Sequence, residues 1–305
     1  MEAALPDQAA DRLGYVPNQR VRSLSAGRTE CVGVVVPEPG SDFFLDRQMA
    51  RLLRGINEEL STNGIQMVLF APQSPADVQR LEQYLVGGHV DAVLLLALHE
   101  PNTLPARLHA RGIPMVFGGR PLGSLDVSFV DVDNHAGGRT ATEHLIQQGR
   151  RRIAHIAGPD HSPASRARLE GFREAMWTAA LRSDLVEHGH LDRDGGELAM
   201  ARLLAMPHEI DAVFAASDAM AAGAMWALQI LGRRVPDDVA VIGFDDSPIA
   251  SATQPPLSSV RQPVEEMGRE MAKLAVSLSS VHGQSPRQMV LSPELSVRES
   301  TVTSR

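Results

Sequence analysis

The sequence predicts an α/β protein of two similar lobes, each built on a parallel sheet of βαβ units. Short apolar runs alternate with stretches of helical periodicity along most of the chain, which is typical of parallel sheets. The apolar runs fall into two successive series, which indicates two lobes of similar build. At 305 residues the chain exceeds one typical core, and its apolar content of 43% suffices for two compact lobes.

The predicted strands and helices follow from where these patterns begin and end. The first series of strands covers 31–36, 65–70, 90–96, 114–117 and 129–132. The second series covers 152–157, 185–188, 212–215, 239–242 and 258–260. Apolar residues at helical spacing predict a helix over 44–60, which ends at Asn63-Gly64. Another helix is predicted over 263–280 and late strands over 288–299.

Composition narrows the class of protein. The net charge of −8 argues against a chain that coats nucleic acid along its whole surface. The lone Cys31 excludes a disulfide framework and fits a reducing compartment. We find no signal segment and no apolar run near the ~18 residues of a membrane span. The sequence therefore predicts a cytoplasmic protein with no membrane contact.

A basic segment near the start stands apart from the acidic remainder. Residues 12–28 contain four arginines and no acid: Arg12, Arg20, Arg22 and Arg28. A solvated basic linker is one interpretation. The other is an element that faces DNA phosphates, because arginine near DNA releases condensed counterions.

The spacing within this segment favours the DNA interpretation. Leu13-Gly14-Tyr15 has the features of a helix end, with Gly14 suited to the left-handed position after the last turn. Pro17-Asn18 then starts a second, short helical segment. Leu24 lies on it among arginines, where an apolar side chain can wedge between base steps in a minor groove.

These residues resemble the end of the DNA-binding head and the hinge helix of the LacI/GalR family of transcriptional regulators. Ordered motifs extend the resemblance along nearly the whole chain. They include Val-Asp-Asn at 132–134, Thr-Glu-His-Leu at 142–145, Arg-Leu-Glu-Gly-Phe at 168–172 and Val-Ile-Gly-Phe-Asp-Asp at 241–246. The residues before Tyr15 are too few for a helix-turn-helix, so we expect this chain to lack the base-reading element.

The resemblance implies a core like that of periplasmic sugar-binding proteins, with a ligand cleft between two lobes that the chain crosses three times. Residues 1–28 are assigned to the remnant of the head and the hinge helix. Residues 29–149 and 262–282 are assigned to the N-terminal lobe, and 150–261 and 283–305 to the C-terminal lobe.

Ligands of parallel α/β sheets bind beyond the carboxyl ends of the strands, so the residues that follow the strands are the candidates. Asp133 and Ser217 are each suited to cap a helix, and each is also a candidate ligand contact. Asp160, His161 and Ser162 supply the residue types of a hydrolytic triad, but adjacent residues rarely converge, and no strained Gly-x-Ser-x-Gly elbow is present. We retain Ser162 as a candidate ligand contact only.

The resemblance assigns roles to further residues. Arg168 matches the arginine that the family places in its effector cleft, where the guanidinium fork suits hydroxyls or a carboxylate; a surface ion pair is the alternative. Asp245 matches the acid that accepts hydrogen bonds from ligand hydroxyls. Phe43 or Phe44 would face the ligand from the other lobe, and core packing with a helix cap at Asp42 is the competing interpretation.

Two positions in the core depart from the family pattern. Ser217 stands where the family commonly has asparagine, and Leu191 stands where many relatives carry an aromatic side chain that stacks on a sugar ring. By the same resemblance, the DNA and hinge contacts are assigned to a basic set with one apolar wedge: Asn18, Arg20, Arg22, Leu24 and Arg28.

The sequence thus predicts a DNA-binding transcriptional regulator, a repressor, whose core binds a small effector of the sugar class and forms a homodimer. A sugar-binding protein for uptake or sensing, without DNA binding, is the alternative. An enzyme is not predicted, because no nucleophile–base constellation or phosphate loop is present. His188-Gly-His190 fits an ordinary turn better than a metal site, so no metal and no cofactor are expected.

Overall fold

A computed structural model describes residues 28–36, 47–96, 103–121, 123, 125–280 and 285–302. The alternating pattern folds into two six-stranded sheets. The strands, numbered in chain order, are β1 (Cys31–Val35), β2 (Gln66–Phe70), β3 (Ala92–Leu96), β4 (Met115–Gly118), β5 (Ser128–Val132), β6 (Ile153–Ala157), β7 (Val186–His188), β8 (Ala212–Ala215), β9 (Ala240–Asp245), β10 (Ser258–Arg261), β11 (Gln288–Leu291) and β12 (Glu294–Ser296).

The helices of the described residues lie between these strands. They are α1 (Arg47–Thr62), α2 (Pro75–Val86), α3 (Leu104–Ala110), α4 (Asn134–Gln147), α5 (Pro163–Thr178), α6 (Arg193–Ala205), α7 (Asp218–Ile230), α8 (Pro248–Ala252) and α9 (Val264–Ser280). Helix α1 buries Leu52, Ile56 and Leu60, the spacing that predicted it, although its predicted first residues 44–46 lie outside the described part of the chain. None of the helices described is both long and apolar enough to cross a membrane.

The first sheet has the strand order β11-β5-β4-β3-β1-β2, and all of its pairs are parallel. The second has the order β12-β10-β9-β8-β6-β7, and β12 alone runs antiparallel, against β10. Each sheet has an apolar cluster on both faces. Helices that cover both faces explain why the strands are continuous apolar runs instead of alternating ones. The two-lobed α/β prediction is confirmed.

Two of the predicted lobe boundaries are wrong. Helix α4, predicted in the first lobe, packs against α5 and against β9, β10 and β12 of the second lobe. Strand β11, predicted in the second lobe, pairs with β5 of the first. The crossings therefore follow β5, β10 and β11. The periodicity of α4 shows that one face is buried, but the sequence does not show which sheet buries it.

Glycines on α4 and α5 bring the two helix backbones into direct contact. A Cβ atom at Gly138 would lie 2.2 Å from the carbonyl oxygen of Arg168, and one at Gly171 would lie 2.1 Å from the carbonyl oxygen of His135. Since these neighbours are backbone atoms, they cannot move aside without shifting a whole helix. The contact fixes the position of Arg168 relative to the end of β5.

We expect Gly138→Ala to lower the free energy of unfolding by about 1–3 kcal/mol, because overpacking forces the two helices apart. Chemical denaturation monitored by circular dichroism measures the change. Gly87→Ala is the control: its φ is −68°, and the nearest atom to an added Cβ is 3.2 Å away. A Gly138 variant as stable as the Gly87 variant would contradict the close contact.

Candidate functional site

Arg168 lies at the centre of the polar residues that follow the strands of the second sheet. Its side chain is buried, with 7% of the residue exposed. Nε donates to Asn134 Oδ1 at 2.9 Å, and Nη1 donates to the carbonyl oxygen of Ala216 at 2.6 Å. The guanidinium lies over the ring of Phe244, 3.7 Å from the ring centroid. The predicted alternative, a surface ion pair, is therefore wrong.

The charge of Arg168 is balanced by carboxylates around it. Asp245 Oδ1 lies 3.8 Å from Nη1. Burial lowers the pKa of the guanidinium, while Asp245, Asp131 and Asp218 act in the opposite direction; arginine nevertheless remains charged. Within the part of the chain that the structure describes, Nη2 makes no hydrogen bond. The geometry leaves one face of the donor fork for a ligand oxygen.

Asp245 ends β9 and contacts residues from two directions. Its Oδ1 accepts a hydrogen bond from Gln262 Nε2 at 2.6 Å, and its carbonyl oxygen accepts one from Gln48 Nε2 at 2.5 Å. Gln48 belongs to α1 of the first lobe, and Gln262 lies where the chain crosses back to that lobe. The backbone of Asp245 has a φ of +110°, a strained conformation of the kind found at ligand sites.

Asp218 is a buried acid at the first residue of α7, and it was not among the predicted site residues. It is 1% exposed. Its Oδ1 accepts from Ser259 Oγ at 2.5 Å, and its Oδ2 accepts from the amide of Ser247 at 2.6 Å. Burial, and then the charge of Asp245, raise the pKa of Asp218 to about 7. No local pattern marks this residue, because its burial depends on β10 and on the loop after β9.

Asn134 and Asp131 were also missed. Asn134 accepts from Arg168 and donates through Nδ2 to the carbonyl oxygen of Val132 at 2.9 Å. Burial raises the pKa of Asp131, with the charges of Arg120 and Arg168 opposing it. The Val-Asp-Asn motif at 132–134 was a signal for Asn134, but we had used it only for the resemblance.

Asp133, Ser162 and Ser217 act as helix caps. Asp133 Oδ1 accepts from the amide of Ala136 at 2.8 Å. Ser162 Oγ accepts from the amide of Ser165 at 3.3 Å, and Ser217 Oγ from that of Met220 at 3.2 Å. The capping interpretation is confirmed for Asp133 and Ser217, whereas the cap at Ser162 was not predicted. Contact of the three residues with a ligand remains a prediction.

Asp160, Ser162 and Leu191 lie in neighbouring loops and make local contacts. Asp160 contacts His188, with 3.3 Å between Oδ1 and Nδ1, and Ser162 is occupied in its cap. Leu191 is 37% exposed with a φ of +64°, and a Cβ at Gly158 would lie 2.9 Å from its Cδ2. Among the residues described, no group of three or more His, Cys, Asp or Glu side chains could hold a metal ion.

Several predicted site residues fall outside the described part of the chain. Phe43 and Phe44 do so, as do the hinge residues Asn18, Arg20, Arg22 and Leu24. Of the hinge set, Arg28 is described: its Nη2 donates to Ser279 Oγ at 3.1 Å, and its Nε lies 4.0 Å from Asp91 Oδ2. These contacts join Arg28 to the first lobe, and its contact with DNA stays a prediction.

Comparison with known proteins places the chain among regulators of similar build. A family described as a periplasmic binding protein-like domain matches residues 142–301. The transcriptional regulator CelR of Thermobifida fusca is 47% identical over 96% of this chain and 87% of its own length. The ribose operon repressor of Escherichia coli K12 is 34% identical over 86% of this chain and 79% of its own length.

Solved structures agree with the sequence comparison. A structure of CelR in complex with cellobiose superposes with a TM-score of 0.85 at 46% identity, and the alignment covers 96% of this chain and 89% of that one. A LacI-family regulatory protein from Chloroflexus aggregans superposes with a TM-score of 0.80 at 31% identity, over 89% of this chain and 98% of that one. The two-lobed core therefore has the periplasmic-binding-protein-like architecture that the resemblance implied.

Proposed function

The chain belongs to the LacI/GalR family of transcriptional regulators, and from this we propose that its interlobe cleft binds a sugar of the cellobiose class that controls repression. The observation that carries the proposal is the arrangement of Arg168 and Asp245. A buried donor fork stands beside an acceptor at the carboxyl ends of the second sheet. The similarity to CelR, whose structure contains cellobiose, supports a disaccharide as the ligand.

The site suits hydroxyl groups better than an anion. Sugar hydroxyls both donate and accept, so they can bond to Arg168 Nη2 and to the Asp245 carboxylate together. Leu191 supplies an aliphatic surface where many relatives supply a ring, which favours apolar contact with a sugar face over aromatic stacking. Asp133, Ser162 and Ser217 would contribute further hydroxyl contacts beside their caps, and Phe43 or Phe44 would close the site from the first lobe.

The mechanism that we propose is allosteric. A ligand between the lobes would favour one lobe arrangement, provided that it binds that arrangement more tightly than the other. The Gln48–Asp245 hydrogen bond links α1 to the ligand-binding acid, so a ligand on Asp245 is coupled to the first lobe. In the sequence, the segment 12–28 directly precedes the first strand of that lobe. This segment would contact the DNA operator through Arg20, Arg22, Leu24 and Arg28.

The test is calorimetric titration of the full chain with cellobiose, with maltose and ribose as comparison ligands. We expect saturable binding of one cellobiose per chain and weaker binding of the other two. Absence of binding for every sugar would contradict the proposal. We expect no turnover of cellobiose, and hydrolysis products on chromatography would favour an enzyme instead.

The alternative of an uptake or sensing protein is weaker, because the similar proteins are transcriptional regulators. The repressor function predicts that the chain acts in the cytoplasm, where its DNA is found. Secretion of the native protein would instead favour the uptake function.

We also propose that the chain forms a homodimer through an apolar face of the second lobe. Trp226, Ile230 and Ile249 are 43%, 61% and 41% exposed, and Trp226 and Ile249 line a cavity of about 650 Å³. A cluster of large exposed apolar side chains marks an association surface. A second copy of this chain would cover this surface, because in a twofold dimer the same patch of each copy contacts the other.

Replacing Trp226 with glutamate places a charge in this face, so we expect the variant to sediment as a monomer at micromolar concentration. Analytical ultracentrifugation makes the measurement. Trp177→Glu is the matched control, because Trp177 is 84% exposed and lies on α5, away from this face. A monomeric wild type, or an equal effect of both variants, would refute the assignment.

A further inference from the structure

A cavity of about 700 Å³ lies between the lobes, beside the candidate sugar site. On one side stands α1 of the first lobe; on the other stand the loop after β9, β10 and the segment after β12. Five arginines and one acid line it: Arg47, Arg51, Arg54, Arg261, Arg298 and Asp246. Such an excess of cations around one open cavity is unexpected in a chain whose net charge is −8.

Each lobe contributes two arginines that share one carboxylate. In the first lobe, Glu265 Oε1 accepts from Arg51 Nε at 3.0 Å and also pairs with Arg54. These two arginines lower the pKa of Glu265 to about 2. Arg54 Nε also lies 3.8 Å from Glu58 Oε1, so two carboxylates balance the two guanidinium groups on this side of the cavity.

The second lobe repeats the arrangement. Asp246 Oδ2 accepts from Arg261 Nε, and its Oδ1 accepts from Arg298 Nη2, both at 2.6 Å. Asp246 has only 6% of its side chain exposed, so its carboxylate is held by these two arginines. The side of the second lobe thus retains one positive charge. On the side of the first lobe the ion pairs described add no partner for Arg47, which supplies a positive charge there.

From this arrangement we propose a second ligand site in the cavity, for a small molecule that carries a diphosphate or phosphate-ester group. Guanidinium forks match phosphate oxygens two at a time, and arginines from both lobes surround the space. The volume lies in the range of small-molecule pockets, which favours a metabolite over an acidic protein surface.

The placement of the site gives it a regulatory consequence. Without an anion, the cations of the two lobes repel each other across the cavity and oppose lobe closure. A bound phosphate group would neutralise both sides and stabilise the closed arrangement. Asp246 directly follows Asp245 in the chain, so the same loop joins the two sites; this coupling to sugar binding rests on the proposed function.

The test is calorimetric titration of the full chain with pyrophosphate and with inorganic phosphate, in the absence of sugar. Omitting sugar makes the result independent of the proposed function. We expect saturable binding, with pyrophosphate the tighter ligand. Two single variants remove one cation from each lobe, Arg54→Gln and Arg261→Gln. Arg51 and Arg298 still pair with the remaining carboxylates, so both variants should fold.

We expect each variant to bind pyrophosphate roughly tenfold more weakly, since each loses charge-assisted hydrogen bonds at a partly exposed position. Arg182→Gln is the control, because Arg182 is exposed and pairs with Asp184. Arg182 does not line the cavity. A loss confined to one lobe, or an equal loss in the control, would overturn the site. Binding of a polyglutamate peptide without pyrophosphate binding would also overturn it, in favour of an acidic protein partner.

Discussion

Replacing Arg168 with alanine is expected to abolish sugar binding in calorimetric titration. The variant removes the donor fork beside Asp245, and loss of charged hydrogen bonds to a desolvated ligand costs about 1.5–3 kcal/mol for each bond. Two such bonds correspond to a loss of affinity of about a hundredfold or more. An unchanged affinity for cellobiose would show that the ligand binds elsewhere.

The same variant is expected to lower the free energy of unfolding by roughly 2–4 kcal/mol. It leaves Asn134 Oδ1 and the carbonyl oxygen of Ala216 without their donor, and it leaves Asp245 without its buried cation. The effect on stability follows from the burial of Arg168, which is only 7% exposed. Thermal unfolding must therefore accompany the titration.

Two variants separate the binding effect from the stability effect. Arg168→Lys keeps a positive charge beside Asp245 but loses the fork, so we expect it to recover stability more than affinity. Arg166→Ala is the control, because the Arg166 side chain is exposed and donates to the carbonyl oxygen of Asp160 at 2.9 Å. Equal recovery of affinity and stability by lysine would argue against recognition by the guanidinium geometry.

The contribution of Asp218 to the stability of the protein is expected to be lost as the pH rises from about 4 to about 7. Its pKa is about 7 in the folded chain against an ordinary value of 3.8. In this window the folded state holds the proton on Asp218 that the unfolded state has lost, so the contribution of Asp218 to the free energy of unfolding declines with pH. The loss is on the order of 4 kcal/mol and is complete above the folded pKa. Buried His155, whose pKa is lowered to about 3, contributes in the opposite direction over this range of pH.

Asp218→Asn tests this expectation by urea denaturation over the same range of pH. The amide keeps an acceptor for the Ser247 amide and stays neutral, so the stability of the variant relative to the wild type should rise between about pH 4 and pH 7, and the variant should exceed the wild type above pH 7. Asp194→Asn, at an exposed acid on α6, should leave the wild-type profile unchanged. A wild-type profile in the Asp218 variant would assign the pH dependence to other groups.

The helix caps and the strand positions were predictable because they are local. Asp133 and Ser217 were identified as caps from the residues that follow them, and both caps are present. Arg168 and Asp245 were identified from motifs that resemble those of a known family. Neither the local patterns nor the family motifs could predict that Arg168 is buried, because the residues that enclose it come from α4, β9 and the loop after β8.

The sequence by itself determined the alternation of strands and helices, the two lobes, and the family to which the chain belongs. Only the tertiary structure decided that α4 belongs to the second lobe and β11 to the first, that Asp218 is buried beside Asp245, and that Arg54 and Arg261 line one cavity. The physical reason is that periodicity records which face of an element is buried. It carries no information about the distant segment that covers that face, because the covering contacts form only when the whole chain packs.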